Sequence, residues 1–594
     1  MAVNATFRSG FIESRPGWWK VQGLNYPSDV SPDNSGTAAK QGLFQGATVY
    51  RPIGSPACLI ASISGRQFRY NVVGNMNVSE ITPRFNDGTI DRNSKWRDIA
   101  YFKQAEQFLF TQDGQSSCMI YDGGQNRRAI TTGDTPEIPP GTVMEYVQGR
   151  VWMARPDRRS FIAGNIVGDT SSGTAAYGFK DSVFKFSDNN FLNEGGDFSI
   201  PTDAGLITAM RSPPLLDSSQ GQGPLQVFTE RAGFSVNTPV DRATWKDVTY
   251  PIETKSLESF GPTSHRGMAN VNSDPWFRAQ DGIRSFLIAR RDFAQNSPFT
   301  MTWANTPMSR EMERIVAADD PSQLKYVSTV LFDNRLLVTC VPRRTPYGTV
   351  FRGLVALDFA PISGMQQKKP PAWDGLWTGL QILQVLEGDF DGVSRCFAFV
   401  LNSSNQIEIW ELTKNQMFDQ AEFNIPTVIQ SSMDSRSYDF GDGGQLLKEL
   451  TGACLWRDRI LGLSQVTLSF LPDQYAFFQQ WNPNGGSTQT CATSVDCRIN
   501  LCQNGPASMQ PQYRSRLTFP QPVDDCEPIS SRPYRVGYEF TVRLAFSACR
   551  IKMFRMYCKT IQEPEFIECP ENSEVCVDLA GCIDDYLGYT ITGS

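Results

Sequence analysis

The sequence predicts an all-β protein: a β-propeller of six to eight blades followed by a separate β-rich domain. Short apolar runs recur in pairs, joined by turns rich in Asp, Gly, Asn and Arg. Such pairs are typical of β-hairpins. Helical periodicity is sparse, and its best candidate is the segment 309–316, where Ser309 stands in position to cap a helix of about two turns.

Seven candidate hairpins lie along the chain at irregular spacing, as in a divergent repeat with loop insertions. A propeller closes such a series because each blade buries its faces against its neighbours and only short edges stay exposed. Stacked β-sandwiches are the competing architecture. The hairpins are predicted at residues 59–73, 108–121, 147–162, 225–236, 276–288, 326–341 (followed by 352–359) and 396–412.

The character of the chain changes near residue 485. Segment 481–487 is a turn-rich break, and the later stretch 534–546 alternates apolar and polar residues, as does one long half-exposed strand or two strands joined at Gly537. We therefore divide the chain into three parts: an N-terminal segment (1–45), a β-propeller with loop insertions (46–484) and a Cys-rich C-terminal β domain (485–594).

The composition is that of a globular protein with an acidic charge balance. The 594 residues are 40% hydrophobic and 20% charged, and 55 basic against 62 acidic residues give a net charge of −7. Linear stretches of Lys and Arg are absent, which disfavours a DNA clamp. The N-terminus lacks the order of a secretory signal, and no apolar run approaches about 18 residues, so we expect neither export nor a membrane span.

The usual catalytic and metal-binding patterns are missing. The single histidine, His265, lies in a turn-like loop without an adjacent carboxylate and is interpreted as a residue that packs or hydrogen-bonds there. One histidine excludes HExxH sites, and the sequence has no Cys-x-x-Cys, no P-loop and no dinucleotide-binding GxGxxG turn. We therefore expect no catalytic residue, no metal and no cofactor, and no enzymatic activity.

Two further kinds of site are weighed. Segments 389–392 and 439–444 place carboxylates beside glycine, but neither continues to the twelfth-position Glu of a calcium-binding EF-hand, so both are interpreted as Asp-Gly turns. Trp373 and Trp377 could stack on a sugar, although tryptophans near strand ends more often belong to a core or an interface. Their segment, 371–380, is interpreted as a tight loop entering a blade.

The cysteines crowd the C-terminal part, where ten of the 14 follow residue 453. Two interpretations stay open. A particle assembled inside a cell and working outside it could form a disulfide framework, or the thiols could be buried as small apolar groups. The possible disulfide cysteines are Cys491, Cys497, Cys502, Cys526, Cys569, Cys576 and Cys582.

The order of motifs at the N-terminus resembles a known family. The turn Ser14-Arg15-Pro16-Gly17 is followed by a hairpin at 60–72 and by the stretch 96–111. This order resembles the tail tubular protein B, or tail nozzle, family of short-tailed (podovirus-type) bacteriophages. The resemblance covers about the first 120 residues. The rest of the chain is similar to the family only in its length and its β-rich repetition. The Cys-rich C-terminus departs from the family pattern.

The resemblance implies a homohexamer at the distal end of a phage tail, built from a β-propeller and a β-rich platform formed by the N- and C-terminal segments. Double-stranded DNA would pass through its lumen without specific binding, and its partners would be the tail adaptor ring protein and the tail fibres. The location implied is the virion tail, assembled in the host cytoplasm. Arg15, Pro16 and Gly17 are expected to shape a turn in the platform.

The expected function is that of a structural virion protein, a tail nozzle for genome retention and DNA ejection. Six copies would carry 6 × −7 = −42 charges, and negative charge along a lumen repels phosphate. The alternative is a receptor- or carbohydrate-binding β-propeller of a phage tail tip, with exposed Trp373 or Trp377. A hydrolase acting on cell-surface glycan through two carboxylates is a third hypothesis, for which the sequence singles out no pair.

Overall fold

The structure is a computed structural model of the chain. It describes residues 1–24, 43–74, 76–133, 136–166, 181–186, 197–212, 224–239, 242–257, 261–286, 307–345, 348–349, 352–359, 371–414, 416–422, 425–459, 465–473, 476–480, 488–490, 513–518 and 535–561.

Four short strands at the N-terminus belong to three different sheets. They are β1 (Ala2–Val3), β2 (Ala5–Thr6), β3 (Ile12–Ser14) and β4 (Trp18–Lys20), with a 3-10 turn at Arg8–Gly10.

The first four blades are four-stranded antiparallel meanders in which each strand pairs with the next along the chain. Blade 1 contains β5 (Phe44–Tyr50), β6 (Cys58–Ile63), β7 (Arg66–Asn71) and β8 (Asn77–Glu80). Blade 2 contains β9 (Tyr101–Ala105), β10 (Phe108–Gln112), β11 (Met119–Tyr121) and β12 (Asn126–Arg128). Blade 3 contains β13 (Met144–Val147), β14 (Arg150–Ala154), β15 (Ser160–Ala163) and β16 (Asp197–Ser199). Blade 4 contains β17 (Ile207–Arg211), β18 (Leu225–Thr229), β19 (Ala232–Val236) and β20 (Ile252–Leu257).

Three more blades follow. Blade 5 contains β21 (Met268–Val271), β22 (Asp274–Arg278) and β23 (Ile283–Ser285). Blade 6 contains β24 (Thr329–Phe332), β25 (Arg335–Thr339), β28 (Leu354–Asp358) and β29 (Ala372–Trp377), with a small hairpin of β26 (Arg344–Thr345) and β27 (Gly348–Thr349) between its strands. Blade 7 contains β30 (Gln381–Phe390), β31 (Val393–Leu401) and β32 (Ile407–Leu412), and its sheet continues to β33 (Phe418–Glu422) and β34 (Ile425–Val428).

Helices are few in the described part of the chain. The α-helix α1 (Glu313–Val316) is a single turn that follows a 3-10 turn at Arg310–Met312. Ser309 does not cap it with its side chain; its Oγ accepts a hydrogen bond from the Ile283 amide at 3.0 Å instead. Further 3-10 turns lie at Asp181–Phe184, Thr202–Ala204, Arg242–Asp247 and Pro321–Tyr326.

Hydrogen bonds join successive blades in a closed ring of seven. The bond that completes it links blade 7 to blade 1, where the Gln384 amide donates to Ala47 O and accepts from Ala47 N. The other six contacts, from blade 1 onward, are Ala100 N to Gln45 O, Lys103 to Glu145, Ile207 N to Arg158 O, Arg211 to Met268 O, Thr329 N to Arg266 O and Val385 N to Ser328 Oγ.

The hydrophobic core is divided in the same way. Seven clusters each join two neighbouring blades. The middle strands of blades are therefore covered on both faces, and strands such as β10 and β28 are buried along their whole length. Burial on both faces explains why these strands are continuous apolar runs in the sequence and not alternating ones.

The ring is closed by the N-terminus of the chain. Strand β4 pairs antiparallel with β32, so the fourth strand of blade 7 comes from residues that precede blade 1. Trp18 on β4 is 2% exposed and packs between blades 6 and 7. Closure by the N-terminal strand holds the first and last blades together.

The platform is a sandwich of two sheets built from both ends of the chain. Its first sheet extends the sheet of blade 6 through β1, β35 (Gln430–Asp434), β42 (Phe540–Ser547), β37 (Gln465–Pro472) and β38 (Gln479–Gln480), with β39 (Thr488–Thr490) paired to β37. Its second sheet contains β2, β3, β43 (Arg550–Thr560), β36 (Lys448–Asp458) and β40 (Tyr513–Thr518), with β41 (Val536–Gly537) paired to β36. Leu455, Leu468 and Leu544 pack between the two sheets.

The structure confirms the predicted all-β propeller with a platform of N- and C-terminal segments. Each of the seven predicted hairpins lies in a different blade, and the described blades number seven. The stretch 534–546 is two strands in different sheets.

The domain boundaries differ from the predicted ones. Strands from Gln430 onward already belong to the platform, so its C-terminal part begins before residue 485. Within 1–45, Trp18–Lys20 belongs to blade 7 and not to the platform. Strand pairing between residues far apart in the sequence decides both points, and local turn signals do not report it.

We expect Trp18→Ala to lower the free energy of unfolding by about 3–5 kcal/mol, because it removes a buried indole from the closing contact. Trp96→Ala is the matched control, since Trp96 is 79% exposed and the change should stay within about 0.5 kcal/mol. Urea unfolding followed by circular dichroism measures both. Equal effects of the two substitutions would contradict the closing role of β4.

Candidate functional site: the N-terminal junction and the central cavity

The turn Arg15-Pro16-Gly17 connects the platform to the propeller. It lies between β3, in the platform, and β4, in blade 7. Arg15 is 1% exposed. Its guanidinium donates to both carboxylate oxygens of Asp419, at 2.9 and 2.8 Å, and to Asn4 Oδ1 and Thr378 O, each at 2.9 Å. The predicted turn therefore stands at the junction of platform and propeller, and Arg15 fastens it.

Gly17 is required by a close approach of two backbones. A Cβ at this position would lie 1.9 Å from the carbonyl oxygen of Phe418. The amide of Gly17 donates to Gln416 O at 2.7 Å, and its carbonyl accepts from the Thr413 amide at 2.9 Å. The turn is thus held against the chain that follows blade 7.

A second contact anchors the N-terminal segment on blade 6. Asp374 accepts hydrogen bonds from the Thr6 hydroxyl at 2.8 Å and the Phe7 amide at 3.0 Å. Its carboxylate also lies 3.1 Å from the Arg335 guanidinium. Burial raises the pKa of Asp374, while Arg335 and the hydrogen bonds lower it. Arg8 adds a bidentate pair with Asp358 at 2.9 and 3.1 Å.

The centre of the propeller contains a cavity of about 660 Å³ between the innermost strands. One side chain spans it. Arg266, just before β21 in blade 5, reaches across it and donates from Nη1 to Gln384 Oε1 of blade 7 at 3.0 Å. A Cβ on Gly46 of blade 1 would lie 3.3 Å from the same nitrogen. Burial lowers the pKa of Arg266 to about 10.

His265 lines the same cavity. Its pKa lies well below the ordinary value, because burial and the neighbouring cations Arg211, Lys103 and Arg266 disfavour the imidazolium. The imidazole is therefore neutral at pH 7, and its buried Nδ1 has no hydrogen-bond partner among the described residues. The histidine that the sequence placed in a turn-like loop therefore lines the cavity. Sequence reasoning did not connect it with the cationic residues around it.

The tryptophans considered for sugar binding do not form an exposed aromatic surface. Trp377 is 1% exposed in the core between blades 6 and 7, and Trp373 is half-buried with its indole N–H bonded to Met308 O at 3.0 Å. Both lie on strand β29, so segment 371–380 is not a loop. A strand inside a blade has both faces covered, which explains the burial.

The Asp-Gly segments are turns. Asp391 and Gly392 adopt positive φ of 55° and 78° between β30 and β31. In the segment 439–444, the Asp439 carboxylate accepts from the Gly441 amide at 2.9 Å. Within the described ranges, no group of three or more His, Cys, Asp or Glu side chains is placed to hold a metal ion.

The seven possible disulfide cysteines all lie outside the described residues, and their pairing stays a prediction: Cys491, Cys497, Cys502, Cys526, Cys569, Cys576 and Cys582. Four described cysteines are buried free thiols in the propeller: Cys58, Cys118, Cys340 and Cys396. Burial raises the pKa of the Cys58 thiol to about 11. For these four, the interpretation as small apolar groups holds.

The fold defines the chain as a seven-bladed β-propeller protein with a platform made by both chain ends. No protein-family model and no characterised protein matches its sequence. In no described part of the chain is a helix long and apolar enough to cross a membrane.

Solved structures similar to this chain include a lyase, BamB and a β-propeller domain. A streptogramin B lyase is 10% identical with a TM-score of 0.30, covering 63% of this chain and 95% of its own. BamB from Moraxella catarrhalis is 10% identical with a TM-score of 0.28, and the match covers 69% of this chain and 92% of BamB. The Cps50 (Swd1) β-propeller domain of Myceliophteria thermophila is 11% identical with a TM-score of 0.33, and the match covers 63% of this chain and 99% of that domain.

We expect Arg15→Met to lower the free energy of unfolding by about 3 kcal/mol, because it leaves Asp419 without its counter-charge at a buried junction. Arg543→Gln is the matched control: Arg543 binds Asp434 in the same bidentate way, but its side chain is 44% exposed, so the cost should stay below about 1 kcal/mol. Denaturant unfolding measures both. A smaller cost for Arg15→Met than for the control would contradict the fastening role.

We expect Cys58 to resist iodoacetamide at pH 8 in the native protein and to react after unfolding, because only the thiolate is nucleophilic. Peptide mass spectrometry reads out the labelling. The ordinary thiol pKa is 9.0 and the folded value about 11, so the folded state binds more protons over this interval. The free energy of unfolding should therefore fall as pH rises through it. Rapid native labelling would contradict the burial.

Proposed function

We propose that this protein is a structural component of a virion, the nozzle of a short-tailed bacteriophage tail, and that six copies form the ring through which the genome is retained and ejected. The observation that carries the proposal is the platform. Both chain ends build it and it is fastened to the propeller by the Arg15 turn, which is the arrangement that the N-terminal resemblance implies.

The DNA path lies between subunits and not inside a propeller. The central cavity is crossed by Arg266 and has a volume of about 660 Å³. A cube of that volume is about 9 Å on a side, which is less than the width of the major groove alone of a DNA duplex, about 12 Å. A channel for DNA therefore requires several copies around a common axis. The adaptor ring protein and the tail fibres are the partners that such a position requires.

Exposed apolar side chains favour the platform side as the contact between copies. Sixteen large apolar or aromatic residues are exposed in the described part, and eight of them lie in the platform or the neighbouring β33–β34 hairpin. Phe477 is 75% exposed and Tyr557 46% exposed. Exposed apolar side chains are typical of protein–protein interfaces, and a second copy of the chain is the partner proposed.

We expect purified protein, with and without reductant, to form sixfold rings with a central hole by negative-stain electron microscopy. Mass photometry should give a mass six times that of the single chain. Phe477→Asp with Tyr557→Asp should shift the population to monomers, because each buried charge disfavours the contact. Trp96→Asp, on an exposed propeller loop, is the control and should leave the rings intact.

A compact monomer under all conditions, also when mixed with an isolated tail adaptor ring, would contradict the nozzle assignment. The next assay would then be a glycan array for the receptor- or carbohydrate-binding alternative. Rings that persist in the Phe477 and Tyr557 variant would keep the nozzle and refute the platform contact.

A further inference from the structure

The central cavity of the propeller has an unbalanced positive charge. Six cationic side chains line it: Arg51, Lys103, Arg158, Arg211, Arg266 and Lys325. Lys103 and Lys325 are paired with Glu145 and Asp98. The four arginines have no ion pair with any described residue, and Glu387 is the one carboxylate among the described lining residues. A chain of net charge −7 therefore encloses a cationic centre.

Several nitrogen atoms in the cavity wall are buried without a hydrogen-bond partner among the described residues. They are Nε of Arg211, Nε of Arg266 and Nδ1 of His265. Each guanidinium is already fixed by another of its nitrogens, since Arg211 Nη2 donates to Met268 O at 2.8 Å and Arg266 Nη1 to Gln384 Oε1 at 3.0 Å. Buried donors of charged groups rarely stay unsatisfied, because each costs about 1–3 kcal/mol or more.

We propose that this cavity is a binding site for a small oxyanion of more than one negative charge, of the phosphate or polycarboxylate class, held by Arg211, Arg266 and His265. Guanidinium groups bind phosphate and carboxylate oxygens through charged hydrogen bonds. The neutral imidazole can donate one hydrogen bond and accept another. The volume of about 660 Å³ falls within the range of small-molecule sites.

The site draws its residues from several blades. Arg211 ends β17 in blade 4, His265 and Arg266 precede β21 in blade 5, and Lys103 lies on β9 in blade 2. That these cations lower the pKa of His265 agrees with their closeness to it. A bound anion would reduce the repulsion between the arginines and connect their blades. This role is independent of the nozzle assignment.

The test is isothermal titration calorimetry of the full chain with inorganic phosphate and, separately, with citrate, at constant ionic strength adjusted with sodium chloride. We expect saturable binding of at least one of the two. Arg211→Gln should weaken it about tenfold or more, the loss of one charged hydrogen bond. Arg84→Gln, which removes the same charge at a residue whose side chain is 57% exposed, should leave the affinity unchanged.

A second variant keeps the test decisive if Arg211→Gln unfolds. Arg158 lines the cavity without an ion pair, and Arg158→Gln should weaken binding severalfold through charge alone. Binding of phosphate but not citrate, or the reverse, supports the site and identifies which class it prefers. Failure of both anions to bind, or binding that Arg211→Gln and Arg158→Gln leave unchanged, would overturn the proposal, whatever the oligomeric state of the protein.

Discussion

The first twenty residues hold the structure together, because they are inserted into three sheets that the rest of the chain cannot complete alone. β1 joins blade 6 to the platform, β2 and β3 enter the second platform sheet, and β4 closes the ring. β3 pairs with β43, more than 500 residues later. Such pairing needs residues from both ends of the chain. Because contacts between distant residues form slowly, we expect the ring and the platform to be completed late in folding.

Local pattern was enough to predict the blades, because each hairpin is a contiguous pair of apolar runs joined by a short turn. Ser64 and Gly65, for example, adopt the two left-handed conformations of a tight hairpin turn, with φ of 51° and 81°. The boundary of the platform was not predictable in this way. The sequences of β35, β36 and β37 have the same local pattern as those of blade strands. Only their pairing with β42 and β43 shows that they belong to the platform.

The central cavity escaped sequence reasoning for a different reason. Net charge sums over the molecule and says nothing of where charges meet. Arg51, Lys103, Arg211 and Arg266 lie on or beside the first strand of their blades, a shared position that becomes informative only once the ring is known. The Arg15 turn was found from its motif, but its partner Asp419 lies 404 residues away, beyond any local signal.

The continuity of one sheet from blade 6 into the platform has a mechanical consequence. Hydrogen bonds run without interruption from β29 through β1 to β35 and β42. A load on the platform therefore reaches the propeller as shear along strand edges, which resist sliding because many bonds must break together. Blade 6 receives that load first, and the Asp374 and Arg335 contact lies beside the point of transfer. Among the described blades, blade 6 is the one whose own hydrogen-bonded sheet carries load between the platform and the ring.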